Sequence, residues 1–298
     1  MTRRRPDTVA TDAAAGAARR RAVLRFGRTG LRPLPWRATR DPWAILVSEV
    51  MLQQTQVARV IEPYRVFLAR FPAPAACAEA APAAVVRAWA GLGYNRRALL
   101  LRRAAAAVVE RHGGAVPGDL EALRALPGVG PYTARAVLAF AFEADQAVVD
   151  ANVARVLARA VVGGPLSPAE AQRVADHLVP AGKGWLWNQS LMELGARRCT
   201  SRAPACTACP LAGGCAWRLD PSRPDPAAAP RRQGPFEGSD RQGRGRLVAE
   251  LRSGPVRPGR LPAACGWPDD PDRARRVADA VVAEGLARRG PGGVVRLG

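Results

Sequence analysis

Apolar residues recur at spacings of three and four positions from Trp36 to about Trp217, and Gly and Pro separate segments of helical length. Alternation of apolar and polar residues, which is typical of strands, is nearly absent from this stretch. The pattern predicts an all-α body. Its helical segments are expected at residues 42–70, 82–89, 96–111, 118–126, 132–142, 151–161, 168–179 and 185–195.

The periodic pattern stops after this body. Residues 220–245 are rich in Pro, Arg, Gly and Ala, as linkers are. Beyond them, two helical patterns precede two short apolar runs that flank a Gly-Pro-Gly-Gly turn, which indicates a terminal hairpin. We predict a basic disordered tail at 1–28, a helical body at 29–219, a linker at 220–245 and a small α/β winged-helix-like module at 246–298.

The charge of the chain favours a polyanionic partner. Lys and Arg number 45 against 25 Asp and Glu, a net charge of +20, and nucleic acid is the leading candidate. Arginine enrichment alone is weak support, because the composition is that of a gene with high G+C content and Lys183 is the only lysine. No apolar run approaches the ~18 residues that span a bilayer, and no secretory signal pattern is present. We expect a cytoplasmic, nucleoid-associated bacterial protein without membrane contact, with an organellar transit peptide as the alternative.

Four cysteines lie close together in the sequence, at Cys199, Cys206, Cys209 and Cys215, with six, two and five residues between them. This grouping favours a metal over disulfides, and the spacing alone fits an iron–sulfur cluster or zinc equally well. For either metal we favour a redox-silent structural role. Cationic residues flank the cysteines and would suit phosphate: Arg197, Arg198, Arg202 and Arg218.

A short turn separates two helical segments in the middle of the body. Its sequence is Leu-Pro-Gly-Val-Gly, and it places Gly128, Val129 and Gly130 before the next helix. Backbone amides at such a helix start can bind phosphate without side-chain charge. The turn resembles a helix-hairpin-helix, which clamps the DNA backbone. An ordinary Gly-containing turn between helices is the alternative, and the net charge favours the clamp.

Two carboxylates have different predicted surroundings. Glu49 lies within Ala-Ile-Leu-Val-Ser-Glu-Val-Met-Leu, where a helix would be apolar on almost every side, so the acid is expected to hold its proton readily. Asp150 follows three apolar residues and begins a helix, whose amides favour an anion. A proton donor and an anion are the pair used in glycoside hydrolysis. A plain helix cap at Asp150 and a satisfied core acid at Glu49 are the structural alternatives.

Six motifs between residues 34 and 217 resemble, in order, those of adenine DNA glycosylases of the MutY type. Together they are highly specific, whereas the hairpin and the cysteine loop alone would also fit relatives of endonuclease III. The motifs are Leu-Pro-Trp-Arg at 34–37, Ser-Glu-Val-Met-Leu-Gln-Gln-Thr at 48–55, Gly-Leu-Gly-Tyr at 91–94, the hairpin at 126–134, Val-Asp-Ala-Asn-Val at 149–153 and the four-cysteine loop.

The resemblance implies an interrupted α-helical body, with a six-helix barrel and a domain that holds one [4Fe–4S] cluster. The substrate would be double-stranded DNA in which adenine is mispaired with 8-oxoguanine or guanine, and the enzyme would act as a monomer. Adenine would first be flipped out of the duplex. Glu49 would protonate adenine at N7 and Asp150 would stabilise the positive charge that develops on the sugar, with Tyr132 and Asn152 assisting.

The resemblance also assigns residues that bind the substrate. Trp36, Arg37 and Gln189 match positions around the extruded base. Four further residues match positions that fill or probe the helix beside the opposite purine: Gln54, Thr55, Leu92 and Tyr94. The structural alternatives are core packing for Trp36 and Leu92 and a helix-surface amide for Gln54.

The sequence also bears on strand cleavage. Glycosylases that cut the strand commonly use an amine nucleophile, which endonuclease III relatives carry after the hairpin. Here Tyr132 and Thr133 fill that region, and Lys183 is expected in a loop with no helix to aim it. We therefore predict a monofunctional enzyme. A glycosylase for another base and a non-catalytic, metal-bearing DNA-binding protein are the competing interpretations.

The chain departs from the family at two places. Many members carry a second Tyr where this chain has Asn95, a change expected to alter the surface beside Tyr94 modestly. The C-terminal module is short and lacks the Nudix-like pattern that usually reads 8-oxoguanine, which leaves the preference for that opposite base open.

Overall fold

The computed structural model describes residues 13–220, 222–227 and 234–298. By contacts between residues the chain divides into two compact units, and both are discontinuous in sequence. The first unit comprises Met1–Pro42 and Gly130–Arg231, and the second comprises Trp43–Val129 and Arg232–Gly298.

Helices dominate the described residues, with one small sheet. None of these helices is long and apolar enough to cross a membrane. In chain order the helices are α1 (Ala13–Gly30), α2 (Pro42–Leu52), α3 (Val57–Arg70), α4 (Pro74–Glu79), α5 (Pro82–Ala88), α6 (Arg96–His112), α7 (Leu120–Arg124), α8 (Pro131–Ala141), α9 (Ala151–Val156), α10 (Pro168–Leu178), α11 (Gly184–Arg197), α12 (Asp240–Ser253), α13 (Leu261–Cys265) and α14 (Pro271–Ala283).

In the first unit α1 packs along α11. The helices approach closely at Gly27, where a Cβ atom would stand 1.8 Å from the hydroxyl oxygen of Ser190. Val23 is fully buried in this core, and the Arg20 guanidinium donates to the carbonyl oxygens of His177 and Leu178. The prediction of a disordered tail is therefore wrong for residues 13–28, because α1 has an apolar face that the unit buries. Residues 1–12 lie outside the described residues.

In the second unit an aromatic cluster joins α3 to the residue that follows α5. The ring centres of Phe67 and Phe71 are 4.9 Å apart, and Phe67 meets Trp89 edge to face at 5.9 Å. The Trp43 indole N–H donates to the carbonyl oxygen of Phe71 at 3.0 Å, which ties the start of α2 to the end of α3. These contacts hold α2 in place within the second unit.

The C-terminal module, residues 234–298, forms three helices and a hairpin. Strands β1 (Ala287–Arg289) and β2 (Val295–Leu297) pair antiparallel, with Ala287 opposite Leu297. The predicted terminal hairpin is confirmed. Helix α12 begins at Asp240, with the Ser239 hydroxyl accepting from the Gln242 amide, so the linker ends earlier than predicted. Its assignment as a winged helix stays a prediction.

The C-terminal module packs against α5 and the start of α6 within the second unit. Arg252 of α12 donates to the Asn95 side-chain oxygen at 2.7 Å and to the Val86 carbonyl oxygen at 3.2 Å. In return, Arg87 donates to the carbonyl oxygen of Arg252 at 3.3 Å. Asn95 is only 6% exposed. The expectation that Asn95 modifies a surface is therefore wrong, since it anchors the C-terminal module.

Candidate functional site

Asp150 caps the short helix α9 in the first unit. Its Oδ1 accepts a hydrogen bond from the Val153 amide at 2.7 Å, and its Oδ2 accepts one from the Asn152 side-chain amide at 2.9 Å. The carboxylate is half-buried. The structure thus brings two predicted catalytic residues together, and both carboxylate oxygens accept from groups that favour an anion.

A hydrogen-bonded chain continues from Asn152 towards the cysteine loop. The side-chain oxygen of Asn152 accepts from Arg155 Nη2 at 2.8 Å, and Arg155 also donates to the carbonyl oxygen of Cys199 at 2.6 Å and of Gly195 at 2.9 Å. Burial lowers the pKa of Arg155 from its usual value. Arg155, which sequence reasoning missed, therefore links the side chain beside Asp150 to the first cysteine.

Arg37 and Gln189, predicted near the extruded base, contact each other. The Arg37 Nε atom donates to the Gln189 side-chain oxygen at 2.7 Å, and Arg37 Nη2 donates to Glu193 at 2.9 Å. A guanidinium has no acceptor, so the Gln189 amide must turn its oxygen towards Arg37 and its NH2 group elsewhere. Trp36 is 5% exposed, which agrees with the packing alternative.

Glu193 completes this network and was missed in the sequence. Its side chain is fully buried and also accepts from Arg32 Nε at 2.6 Å. Burial alone would raise the pKa of Glu193, but the hydrogen bonds from Arg32 and Arg37 outweigh it and lower the pKa. The sequence held one signal that could have identified Glu193. It lies four residues after Gln189 in α11, so the two side chains lie on one helix face.

Glu49 lies in the second unit, in the middle of α2. It is 5% exposed, and residues from Trp43 to Met51 are all buried. The prediction of a helix buried on nearly every side is confirmed. Glu49 is therefore largely removed from water, and burial disfavours the charged form of a carboxylic acid.

Arg97 binds the end of α2 and the residues that follow it. Its guanidinium donates to the carbonyl oxygens of Val50 at 2.7 Å and Met51 at 3.0 Å, and to the Thr55 hydroxyl at 3.0 Å. It also donates to the carbonyl oxygen of Gly93 at 3.3 Å. Burial lowers the pKa of Arg97 to about 10, so it stays cationic at neutral pH. Arg97 joins the end of α2 to the Gly-Leu-Gly-Tyr loop.

The residues expected beside the opposite purine divide into two groups. Leu92 is 2% exposed, which agrees with the packing alternative, and its contact with the duplex stays a prediction. Thr55 is half-buried and held by Arg97. Gln54 and Tyr94 are exposed and have left-handed backbones, with φ values of 54° and 43°. Such conformations are uncommon for residues other than Gly and are typical of functional loops.

The hairpin between α7 and α8 has the predicted turn. Gly128 has a φ of 80°, and a Cβ atom there would stand 2.9 Å from the Leu100 Cβ. Gly130 caps α8 and is exposed. The Val129 amide donates to the Leu126 carbonyl oxygen at 3.1 Å within the turn, and its role in binding phosphate stays a prediction. Tyr132 is half-buried in the first turn of α8.

The four cysteines line one cavity of the first unit, together with Arg159 and Trp217. Within the described ranges, no group of three or more His, Cys, Asp or Glu side chains is arranged to hold a metal ion. Four soft thiols facing one cavity nevertheless fit an iron–sulfur group chemically. Arg159 Nη1 lies 3.5 Å from the Cys199 sulfur as a hydrogen-bond donor.

Arg159 is a buried anchor of this loop. It donates to both carboxylate oxygens of Asp225, at 2.8 and 2.5 Å, and to the Thr200 carbonyl oxygen at 2.6 Å. Its guanidinium carbon lies 4.9 Å from the Trp217 ring centre. The hydrogen bonds to Asp225 are the main cause that raises the pKa of Arg159. Arg159 thus secures both ends of the cysteine loop.

Known proteins match the chain over most of its length. The family described as HhH-GPD superfamily base excision DNA repair protein matches residues 47–180. The adenine DNA glycosylase of Mycobacterium tuberculosis (strain CDC 1551 / Oshkosh) is 42% identical over 273 residues, which are 90% of this chain and 89% of that protein. The chain belongs to the adenine DNA glycosylases. The resemblance inferred from its six motifs is thereby confirmed.

Solved structures also match the fold of this adenine DNA glycosylase family member. A thermostable thymine-DNA glycosylase matches with a TM-score of 0.66 and 32% identity, covering 69% of this chain and 97% of that one. Endonuclease III in a trapped covalent DNA intermediate matches with a TM-score of 0.59 and 21% identity, over 67% and 93% of the two chains. The predicted all-α helix-hairpin-helix glycosylase fold is confirmed.

In this adenine DNA glycosylase family member the only lysine directly precedes a helix. Lys183 caps α11 and is exposed, and the Asp145 carboxylate accepts from the amides of Gly182 and Lys183 at 2.7 and 3.2 Å. The expectation of a loop unrelated to a helix is wrong, because Asp145 fixes these residues at the start of α11.

Proposed function

We propose that this protein is a monofunctional glycosylase that hydrolyses the N-glycosidic bond of adenine mispaired with 8-oxoguanine or guanine in double-stranded DNA. Water is consumed and free adenine leaves, while the abasic sugar remains in the unbroken strand. The proposal rests on membership of the adenine DNA glycosylases and, above all, on the contacts of the Asp150 carboxylate with the amides of Asn152 and Val153. We propose further that it acts as a monomer in the cytoplasm.

Asp150 is the anion of this mechanism. Both of its oxygens accept hydrogen bonds, so the carboxylate is oriented before substrate binds. A preorganised negative charge stabilises the positive charge that develops on the sugar as the base leaves. Asn152 and Tyr132 have supporting roles, with Asn152 holding Oδ2.

Glu49 is the proton donor. Its place in a buried helix favours the protonated acid, which general acid catalysis near neutral pH requires. Transfer of its proton to adenine N7 turns the leaving base into a neutral molecule.

Arg37 and Gln189 bind the extruded base. Because Arg37 occupies the Gln189 oxygen, the Gln189 amide presents its NH2 group as a donor, which suits the ring nitrogens of adenine. Four residues lie beside the opposite purine: Gln54, Thr55, Leu92 and Tyr94. Gly128, Val129 and Gly130 bind the DNA backbone through the hairpin.

The cysteine loop holds one [4Fe–4S] cluster. Cys199, Cys206, Cys209 and Cys215 would be its ligands, since all four line one cavity. When bound, the cluster supplies a rigid centre that orders the loop. The flanking Arg197, Arg198, Arg202 and Arg218 then attract DNA phosphates.

The central experiment is single-turnover release of adenine from duplexes that place it opposite 8-oxoguanine, guanine or cytosine. We expect release opposite the first two bases and strand breakage only after alkali. Breakage without alkali would overturn the monofunctional mechanism. Release of thymine from a thymine–guanine duplex, with adenine retained in all three duplexes, would indicate the chemistry named for the similar solved structure.

The Asp150→Asn variant tests catalysis separately from folding. Asn also caps helices, so stability should change little, whereas loss of the charge should lower the release rate at least about a hundredfold. Asp119→Asn is the matched control, because Asp119 caps α7 by accepting from the Ala122 amide at 2.9 Å. Full activity of Asp150→Asn would contradict its role. No base release by the unmodified protein would favour a DNA-binding protein without catalysis.

A further inference from the structure

A pocket of about 390 Å³ lies within the second unit, where the start of α6 meets the C-terminal module. Such a volume is typical of sites for small organic groups. Gln54, Tyr94 and Arg96 line the pocket on one side, and Arg244 and Glu284 of the C-terminal module line it on the other. The site described above does not use the two residues of the module.

Tyr94 gives this pocket a fixed aromatic surface. The side chain is 47% exposed, and the Arg97 guanidinium carbon lies 5.4 Å from its ring centre. Because Arg97 is itself hydrogen-bonded to the end of α2, the ring rests on a rigid support. An exposed ring held in this way is suited to stacking on a nucleobase.

Arg244 and Glu284 form a two-point ion pair across the C-terminal module. Arg244 in α12 donates through both Nη atoms to the two carboxylate oxygens of Glu284, the residue directly after α14. The hydrogen bonds from Arg244 are the main cause that lowers the pKa of Glu284, with Arg96 contributing. Glu284 is therefore a carboxylate at neutral pH. The ion pair therefore places Glu284, which only accepts hydrogen bonds, beside Arg244, which only donates them.

This arrangement complements one kind of base edge. Guanine presents O6 as an acceptor beside two donors, N1–H and the 2-amino group, and 8-oxoguanine keeps the same edge. Adenine and cytosine order their donors and acceptors differently. A carboxylate has about four lone-pair positions and a guanidinium has five N–H donors, so both groups can bind a base while they remain paired.

We propose that Arg244 and Glu284 read the Watson–Crick edge of the guanine-type base left unpaired when adenine is extruded. Arg244 donates to O6, Glu284 accepts from N1–H and the 2-amino group, and Tyr94 stacks on the ring. This inference rests on the proposed function, because only removal of adenine from the duplex exposes that edge. It gives the C-terminal module a part in the choice of opposite base.

The anchoring of the C-terminal module agrees with this role. Arg252 docks α12 on Asn95, the residue directly after Tyr94, through a contact of 2.7 Å. Burial lowers the pKa of Arg252, as expected for a guanidinium enclosed at a packed contact. The position at which this chain departs from the family pattern thus fixes Arg244 and Glu284 beside Tyr94.

The first test uses the unmodified protein and changes the base opposite adenine. Single-turnover release is measured opposite guanine, hypoxanthine, which lacks the 2-amino group, and 2-aminopurine, which lacks O6. We expect each analogue to slow release at least about tenfold relative to guanine, the discrimination typical of a two-point base contact. Equal rates opposite all three bases would overturn the proposal.

The second test uses Glu284→Gln and Arg244→Gln. Each should reduce the preference for guanine over its analogue at least about tenfold and should leave release opposite an abasic site unchanged. Asp279→Asn is the matched control, because it breaks the Arg289–Asp279 ion pair on the same helix, away from the pocket. An unchanged guanine preference in both variants would also overturn the proposal.

The outcomes separate this inference from the proposed function. If the unmodified protein releases no adenine from any duplex, the proposed function fails. If it releases adenine without discriminating between guanine and its analogues, only the inference about Arg244 and Glu284 fails. The analogue series needs no variant, so it decides the question even if a substituted protein does not fold.

Discussion

Gly195 of α11 lies directly against Asn152 of α9. A Cβ atom on Gly195 would stand 2.7 Å from the Asn152 Cβ and 2.8 Å from its carbonyl oxygen. Only glycine permits this approach, and the approach places Asn152 where its amide donates to Asp150. Gly195 therefore positions the carboxylate without contacting it.

The Gly195→Ala variant should displace α9 and slow base release by about tenfold to a hundredfold, since small misplacements of catalytic groups have effects of this size. Overpacking should also cost about 1–3 kcal/mol of unfolding free energy. Single-turnover kinetics and urea denaturation measure the two effects. Gly245→Ala is the control, because nothing lies within 4 Å of a Cβ atom at that helical position. An unchanged rate in Gly195→Ala would refute the positioning role.

The buried Glu193 should make stability depend on pH. Its pKa lies below the ordinary value of 4.5, so its ion pairs stabilise the fold above that pH and are lost as the pH falls through the lowered pKa. Glu193→Gln should cost about 3 kcal/mol at pH 7, because two guanidinium groups lose a buried partner.

Urea denaturation at several pH values between about 3 and about 7 checks this expectation. The difference between Glu193→Gln and the unmodified protein should shrink as the pH falls below about 4.5. Glu143→Gln, which removes an exposed partner of Arg40, should change stability by no more than about 1 kcal/mol. Equal effects of the two variants would contradict the role assigned to Glu193.

Asp225 should control how firmly the cysteine loop retains the proposed iron–sulfur cluster. Asp225→Asn removes the charge that holds Arg159, whose other donors reach Thr200, Ser201 and Cys199. We expect loss of visible absorbance under a chelator to accelerate about tenfold, as for other residues that support metal ligands.

Iron and sulfide assays before and after exposure to the chelator give the measurement, and they also distinguish iron from zinc. Asp220→Asn, which removes the exposed partner of Arg223, is the control and should behave like the unmodified protein. Identical metal retention in both variants would show that Arg159 does not depend on Asp225.

Arg97 should be essential for stability of the second unit. In Arg97→Met the carbonyl oxygens of Val50, Met51 and Gln53 lose a donor. Buried acceptors without partners cost about 1–3 kcal/mol each, so we expect a loss of at least about 3 kcal/mol in urea denaturation. Arg96→Met, at an exposed neighbour, should change stability by less than about 0.5 kcal/mol. Similar losses in the two variants would contradict this assignment.

Features that depend on neighbouring residues in the sequence were predicted correctly. The helix around Glu49 is buried because its apolar residues are consecutive, and Asp150 caps α9 because a carboxylate before a helix accepts its first amides. The terminal hairpin follows from a turn between two short apolar runs. The disordered tail was predicted wrongly for residues 13–28, because the many arginines of α1 obscured in the sequence an apolar face that packs in the core of the first unit.

Contacts between distant residues required the folded chain. Arg37 meets Glu193 across 156 positions, and Arg252 meets Asn95 across 157, so no local pattern connects them. The sequence by itself determined the helical periodicity, the basic charge, the grouping of four cysteines and the family, because these are properties of composition and of short motifs. The tertiary structure decided which arginines become buried anchors, why residue 195 is glycine and which residues of the C-terminal module face Tyr94, because those depend on the path of the chain between elements.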